Sequence, residues 1–269
     1  MTEMQGSLET PNPSEQRSSV KRLRPIIAID GPAGAGKSTL AAHLARRFGF
    51  LNLETGAMYR ALALKAIEND LAFDEETPLL DLATRTTITL EPQAEGNRVL
   101  LDGVDVSRRI READVTAAAS KISIHHNLRA WMVQQQRALG DGGGVVMEGR
   151  DIGTAVFPDA EVKIFLDAAP EVRGNRRYRQ TAPTDQPANQ PNEVQTASRQ
   201  SPDPVTAEQQ RLDQEAIIRE MKERDYRDRH RAESPLQPAP DAVILDSTAL
   251  TLEEVLASAE EIVCSHLSV

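Results

Sequence analysis

The run Gly31-Pro32-Ala33-Gly34-Ala35-Gly36-Lys37-Ser38-Thr39 satisfies the pattern G-x-x-x-x-G-K-[ST], whose chemistry is the binding of a nucleoside polyphosphate. Three glycines permit a tight loop that turns successive N–H groups inward as an anion cradle. The N-terminus of the following helix adds its dipole. Lys37 would reach the β- and γ-phosphates, and the Ser38 hydroxyl would hold Mg²⁺. A glycine-rich turn with a surface lysine is the bland alternative. The apolar, β-branched run Pro25–Asp30 before the loop and a helical pattern after it speak for the functional reading. The motif establishes nucleoside triphosphate binding and no more.

The second chemical signal is arginine. The 31 cations divide into 25 Arg and 6 Lys, and the guanidinium fork matches phosphate and carboxylate bidentately. Against 41 acidic residues they leave a net charge of −10, which argues against broad nucleic-acid or anionic-membrane binding. Switch-type GTPases need [NT]-K-x-D, which is absent. Motor ATPases carry four apolar residues ending in Asp-Glu, and the nearest counterpart is Val145-Val146-Met147-Glu148-Gly149-Arg150-Asp151. Phosphoryl transfer from ATP is mostly positioning and charge stabilisation. A nucleoside monophosphate is already largely ionised, with a second pKa of about 6, so no general base is required. Cation density is, and Arg60, Arg129, Arg150, Arg224 and Arg231 can supply it.

These groups need a scaffold. Short strands are expected at Pro25–Asp30, Phe50–Glu54, Val145–Glu148, Val162–Asp167 and Ala242–Asp246, separated by helices such as Ala57–Asp70 and Leu252–Leu267. That alternation predicts a five-stranded parallel sheet between two helical layers. Thr87–Leu90 and Arg98–Leu101, joined through Gly96-Asn97, predict an antiparallel hairpin in a small inserted lobe. His43 reads as a core residue on the apolar face of the first helix. Glu220/Arg224 and Glu223/Arg227 are i, i+4 pairs, so taken alone their helix reads as a solvated charged face.

Four separated motifs closely resemble the bacterial cytidylate kinase family: the loop AIDGPAGAGKST, then Glu54–Arg60, Glu148–Thr154 and Glu223–Arg229. The resemblance runs from about residue 26 to the C-terminus, apart from a Gln/Pro-rich segment. It implies the P-loop nucleoside-triphosphate hydrolase fold, a three-layer α/β/α unit with an inserted monophosphate-binding lobe and a lid. It also implies transfer from ATP, with Mg²⁺, to CMP or dCMP. By the same resemblance Thr55, Arg60 and Arg150 lie at the acceptor phosphate, Ser120, Arg129 and Asp151 read the cytosine edge, and Arg224, Asp228 and Arg231 hold ribose and phosphate. Arg173, Arg176 and Arg177 are candidate lid cations, the last two catalytic with Lys37 and Arg150. Glu54 and Glu148 stand where the family more often has Asp, one methylene shorter, so Glu148 stays outside the metal set, which is Ser38 alone. The segment at about 83–130 separates the chain from adenylate, shikimate and thymidylate kinases. A kinase for uridylate or another small acceptor, and an ATP-binding regulatory protein, are the alternatives.

Residues 1–24 read as a disordered tail before one kinase domain at 25–269. Its core is 25–82, 138–172 and 232–269, its acceptor lobe about 55–130 and its lid about 173–212, with 181–206 disordered. Cys264 is the only cysteine, and no apolar leader or spanning run occurs. The default location is therefore cytoplasmic, and the expectation that goes with the family resemblance is a monomer whose partners are its small-molecule substrates.

Overall fold

In a computed structural model of the chain, residues 22–93, 96–181 and 204–267 are described. Most of the expected tail (1–21), and 182–203 of the expected disordered segment, lie outside them.

Strand β1 (Ile26–Asp30) enters the phosphate loop, and helix α1 (Lys37–Phe48) leaves it. There follow β2 (Leu51–Glu54), α2 (Thr55–Glu68) and α3 (Glu76–Thr84). An antiparallel sheet comes next, of β3 (Ile88–Gln93), β4 (Gly96–Leu101) and β5 (Val104–Asp105). Helices α4 (Ala113–Ile122) and α5 (His126–Gly140) lead to β6 (Val145–Gly149) and a π-helical turn at Ile152–Val156. The chain continues through β7 (Val162–Asp167), α6 (Pro170–Thr181), α7 (Pro204–His230), β8 (Val243–Asp246) and α8 (Leu252–Leu267).

The main sheet has the order β2-β6-β1-β7-β8, with every pairing parallel. All five residues of β1 are buried, as a parallel strand covered on both faces requires. Its side chains alternate: Ile26 and Ala28 join a core with α2, α4 and α5, whereas Ile27 and Ile29 join one with α1 and α8. Leu90, Val99 and Leu101 of the hairpin enter the first of these cores, so the inserted segment packs on the sheet's own hydrophobic layer.

Two local expectations are corrected. Gly96 and Asn97 are not the hairpin's joint but ladder residues, paired with Gln93 and Pro92. That placement lets the Asn97 side chain accept from the Glu54 N–H (2.9 Å) and donate to the Asn52 carbonyl (2.7 Å), lashing the hairpin to β2. His43 is no core residue: its Nε2 meets Glu260 Oε1 at 2.5 Å, a polar bridge from α1 to α8. No described helix is long and apolar enough to cross a membrane.

Every strand of the parallel sheet carries an acid at or next to its C-terminal end: Asp30, Glu54, Glu148, Asp167 and Asp246. In open α/β sheets this edge is where ligands bind, at the point where strand order reverses, which here is β1.

Candidate active site

The loop between β1 and α1 has a shape only glycine permits at its entry. Gly31 has φ +147°, and a Cβ there would lie 2.0 Å from the Leu166 carbonyl oxygen of β7. Lys37 is buried, and its Nζ donates to the Pro32 carbonyl at 2.8 Å, folding the ammonium back over the loop. Burial pushes its pKa down, and the nearby Arg150 and Arg224 push the same way. Burial and Arg150 also bring Arg224 down to about 10. Cations that destabilise one another in this way are stabilised by an incoming polyanion.

Facing them is Glu148, buried on β6, whose pKa is raised by burial and by the neighbouring Glu54 carboxylate, in register on β2. The neighbouring Ser38 hydroxyl opposes that rise, while Glu148 Oε1 is buried without a partner. Glu54 is held below the usual carboxylate range: burial would raise it, but the charge and hydrogen bond of Arg60, with Arg111 behind, prevail. Sequence reading passed over Arg111, which carries no motif of its own. Thr55 donates to the Glu148 carbonyl at 2.7 Å, fixing the start of α2 against β6.

The turn after β6 carries Arg150 and Asp151. Asp151 does not cap this turn with its own side chain. Asp30, at the end of β1, does so from a neighbouring strand, accepting the N–H groups of Ile152 (2.8 Å) and Gly153 (2.7 Å). Arg150 Nε thereby meets Asp228 on α7 at 3.1 Å. Asp151 accepts from the buried Arg129, which also donates to the Ser123 carbonyl (2.9 Å) and lies under the Tyr59 ring, 5.8 Å from its centroid. Arg231 Nη2 is 3.9 Å from the other Asp151 oxygen. Ser120 sits half-buried on α4, its carbonyl accepting from Ser123, one turn from that cluster.

Helix α7 is not a solvated face at this level. Met221, Asp225 and Asp228 are buried while Glu223 and Arg227 point to solvent, and no ion pair joins Glu220 to Arg224 or Glu223 to Arg227 among those found for the described residues. Asp228 is kept low despite its burial by Arg150, Arg224 and Arg231.

The lid cations separate. Arg176 donates to the Ala35 carbonyl of the phosphate loop (3.3 Å) and to Ser247 Oγ and O (3.1 and 2.9 Å), and Arg177 is exposed. Arg173 departs from expectation. It is 2% exposed and wholly engaged in internal contacts, so it is no clamp for a transferring group. A cleft of about 690 Å³ lies along another face of α7, lined by Tyr226, Arg229, His230 and Ile244, and none of the residues assigned above to loop, acceptor or lid line it apart from Arg173. Its cations are matched by acids, as in Arg229–Asp167 and Lys222–Glu171.

A profile of the cytidylate kinase family matches residues 27–203 and 192–265. A cytidylate kinase of Solibacter usitatus is 44% identical over 93% of this chain and 97% of its own. Those of Pelotomaculum thermopropionicum (46% identical, 86% of this chain, 92% of its own) and Enterococcus faecalis (43%, 88% and 94%) are similarly close. A phosphate loop whose lysine is buried among other cations, with this likeness along nearly the whole chain, places the protein in the cytidylate kinase family.

Proposed function

We propose that the protein transfers the γ-phosphoryl group of ATP to CMP or dCMP, giving ADP and CDP or dCDP. One observation supports this reading beyond ATP binding: Arg150, in the turn after β6, pairs with Asp228 on α7 (3.1 Å), and with Arg224 it is near enough to Lys37 to lower that lysine's pKa, a gathering of cations suited to more than one anionic phosphate. Family likeness supplies the pyrimidine.

In this mechanism the loop N–H groups from Ala33 to Thr39 and the Lys37 ammonium hold the donor phosphates, and Arg176 braces the loop from α6. Arg150, Arg60 and Arg224 draw the acceptor phosphate into line, and their fixed charges stabilise the transferring group with little reorganisation. Arg177 is placed on the lid helix to close over that group. Arg129 and Asp151, preset by their own ion pair and with Ser120 near, present donor and acceptor to a cytosine edge. A ring with the opposite hydrogen-bond pattern leaves these buried groups unpaired, which is how such a site rejects it. Asp228 accepts from a sugar hydroxyl, and Arg231 stands beside it.

The residues present also fit Mg²⁺. Glu148 Oε1 is a buried, unpartnered oxygen next to the Ser38 hydroxyl, and hard oxygen donors of this kind suit the ion. We therefore place Glu148 with Ser38 as the groups that would hold it, despite the longer arm. When bound, Mg²⁺ neutralises charge on the β- and γ-phosphates. The single cysteine agrees with a reducing compartment such as the cytoplasm.

A coupled ADP-release assay across the common nucleoside monophosphates tests the reading. CMP and dCMP turn over fastest; faster turnover of UMP or AMP overturns the specificity, and ATP binding without any acceptor marks a regulatory protein.

A further inference from the structure

Arg173 spends its fork on three separate elements. Nε donates to the Ala168 carbonyl in the β7–α6 connection (2.8 Å), Nη1 to the Ala33 carbonyl of the phosphate loop (2.9 Å), and Nη2 to the Asp225 carboxylate on α7. The side chain is one of the largest fully buried ones among the described residues, and Asp225 is 7% exposed, so the pair is mostly buried at the floor of the cleft along α7. Packing repeats the connection. A Cβ on Gly34, whose φ is +75°, would lie 2.6 Å from Met221 Cε and 3.3 Å from Arg173 Cβ, so the loop backbone rests directly on α6 and α7. A Cβ on Gly174 would lie 2.3 Å from Ile218 Cγ1, so the two helices also touch each other there.

Met221 and Asp225 are spaced i, i+4 and form the face of α7 beneath the loop. Arg224, Asp228 and Arg231, spaced i, i+4, i+7, form the adjoining face toward the acceptor. One rigid helix therefore floors the donor loop with one stripe and lines the acceptor pocket with the next. Lysine cannot replace the arginine, because a single ammonium has no planar fork with which to reach three acceptors in three directions.

We propose that Arg173 and Asp225 are positioning residues for the donor: Asp225, although it belongs to the acceptor helix, sets ATP affinity by holding the Arg173 fork under Ala33. Neither side chain touches substrate. The effect reaches ATP through the backbone of the loop, whose N–H groups must point inward to cradle phosphate. This rests on the reading of Gly31–Thr39 as the ATP loop and of α7 as the acceptor helix.

The test is calorimetric titration of the full chain with ATP alone and with CMP alone, for wild type, Asp225→Asn, Arg173→Lys and the double variant. Asp225→Asn preserves shape and removes the charge. Weakening one charge-assisted hydrogen bond raises the ATP dissociation constant about tenfold, and the CMP constant moves less than about twofold. The double variant binds ATP no worse than the weaker single one, because both changes break the same bond. An Asp225→Asn protein that loses CMP affinity while keeping wild-type ATP affinity overturns the proposal, as does strict additivity. Should Arg173→Lys fail to fold, the near-isosteric Asp225→Asn decides the matter. A wild-type chain that binds ATP but not CMP refutes the acceptor reading instead, while the ATP titrations of the variants stand.

Discussion

Asp151 is the counter-charge nearest to two guanidinium groups that have little access to water. Arg129 is 4% exposed and donates to it directly, and the Arg231 side chain is 6% exposed with Nη2 lacking any hydrogen-bond partner. Asp151→Ala leaves both cations buried. Breaking one side of a desolvated pair costs about 3–5 kcal/mol. Asp228 still faces both arginines, which argues for the lower end, about 3 kcal/mol. In a chain of this size each kcal/mol lowers the melting point by about 2–4 °C, so the variant should melt about 6–12 °C below wild type. Adding Arg129→Met removes one stranded charge, and the double variant should recover about half of the lost stability, with Arg231 still unpaired. CMP turnover falls in both and is not rescued, because the apolar pair has nothing to offer a base edge. Calorimetric melting of the four proteins, with the coupled assay beside it, measures both effects. Loss of less than about 1 kcal/mol in Asp151→Ala, or a double variant no more stable than that single one, would refute the claim that burial makes this pair strong.

Lys37→Ala should reduce turnover about 10²–10³-fold while the melting point holds or rises, since the ammonium is buried among other cations; near-normal turnover removes it from the site. Asp30 is raised to about 6 by burial, against an ordinary value of 3.8, so its folded form keeps a proton that the unfolded chain releases. The stability of wild type relative to Asp30→Asn should therefore fall by about 2 kcal/mol as pH rises from 4 to 6.5, and urea titrations giving a flat difference sink it. Asn97→Ala strands the Glu54 N–H and the Asn52 carbonyl, costs about 2–3 kcal/mol in thermal melting and raises the KM for CMP more than that for ATP; equal changes in both KM values contradict its role as the tether of the hairpin.

What was legible in the chain was local. The P-loop is a contiguous pattern flanked by its own strand and helix, and β7 and α8 begin and end where their apolar runs do. Helix α2 starts two residues earlier than its periodicity suggests, because Thr55 is anchored to β6, a partner about ninety residues away. The hairpin was visible as alternation, but its register was not. Whether Gly96-Asn97 turns or pairs depends on which side chain β2 needs beside it. Arg173 reads as a lid cation from its neighbours Arg176 and Arg177, and only packing reveals that it points inward.

Composition and motif order therefore determined the fold class, the phosphate chemistry and the demand for arginine, since each is written in residue types and short spacings. Tertiary structure alone decided which arginines serve which purpose. A guanidinium's role depends on what removes it from water and which carboxylate stands opposite, as Asp225 does for Arg173, Asp151 for Arg129 and Asp228 for Arg150. Those partners lie from 22 to 78 residues apart in the chain, and only the parallel sheet and the crossing of α7 bring them into contact.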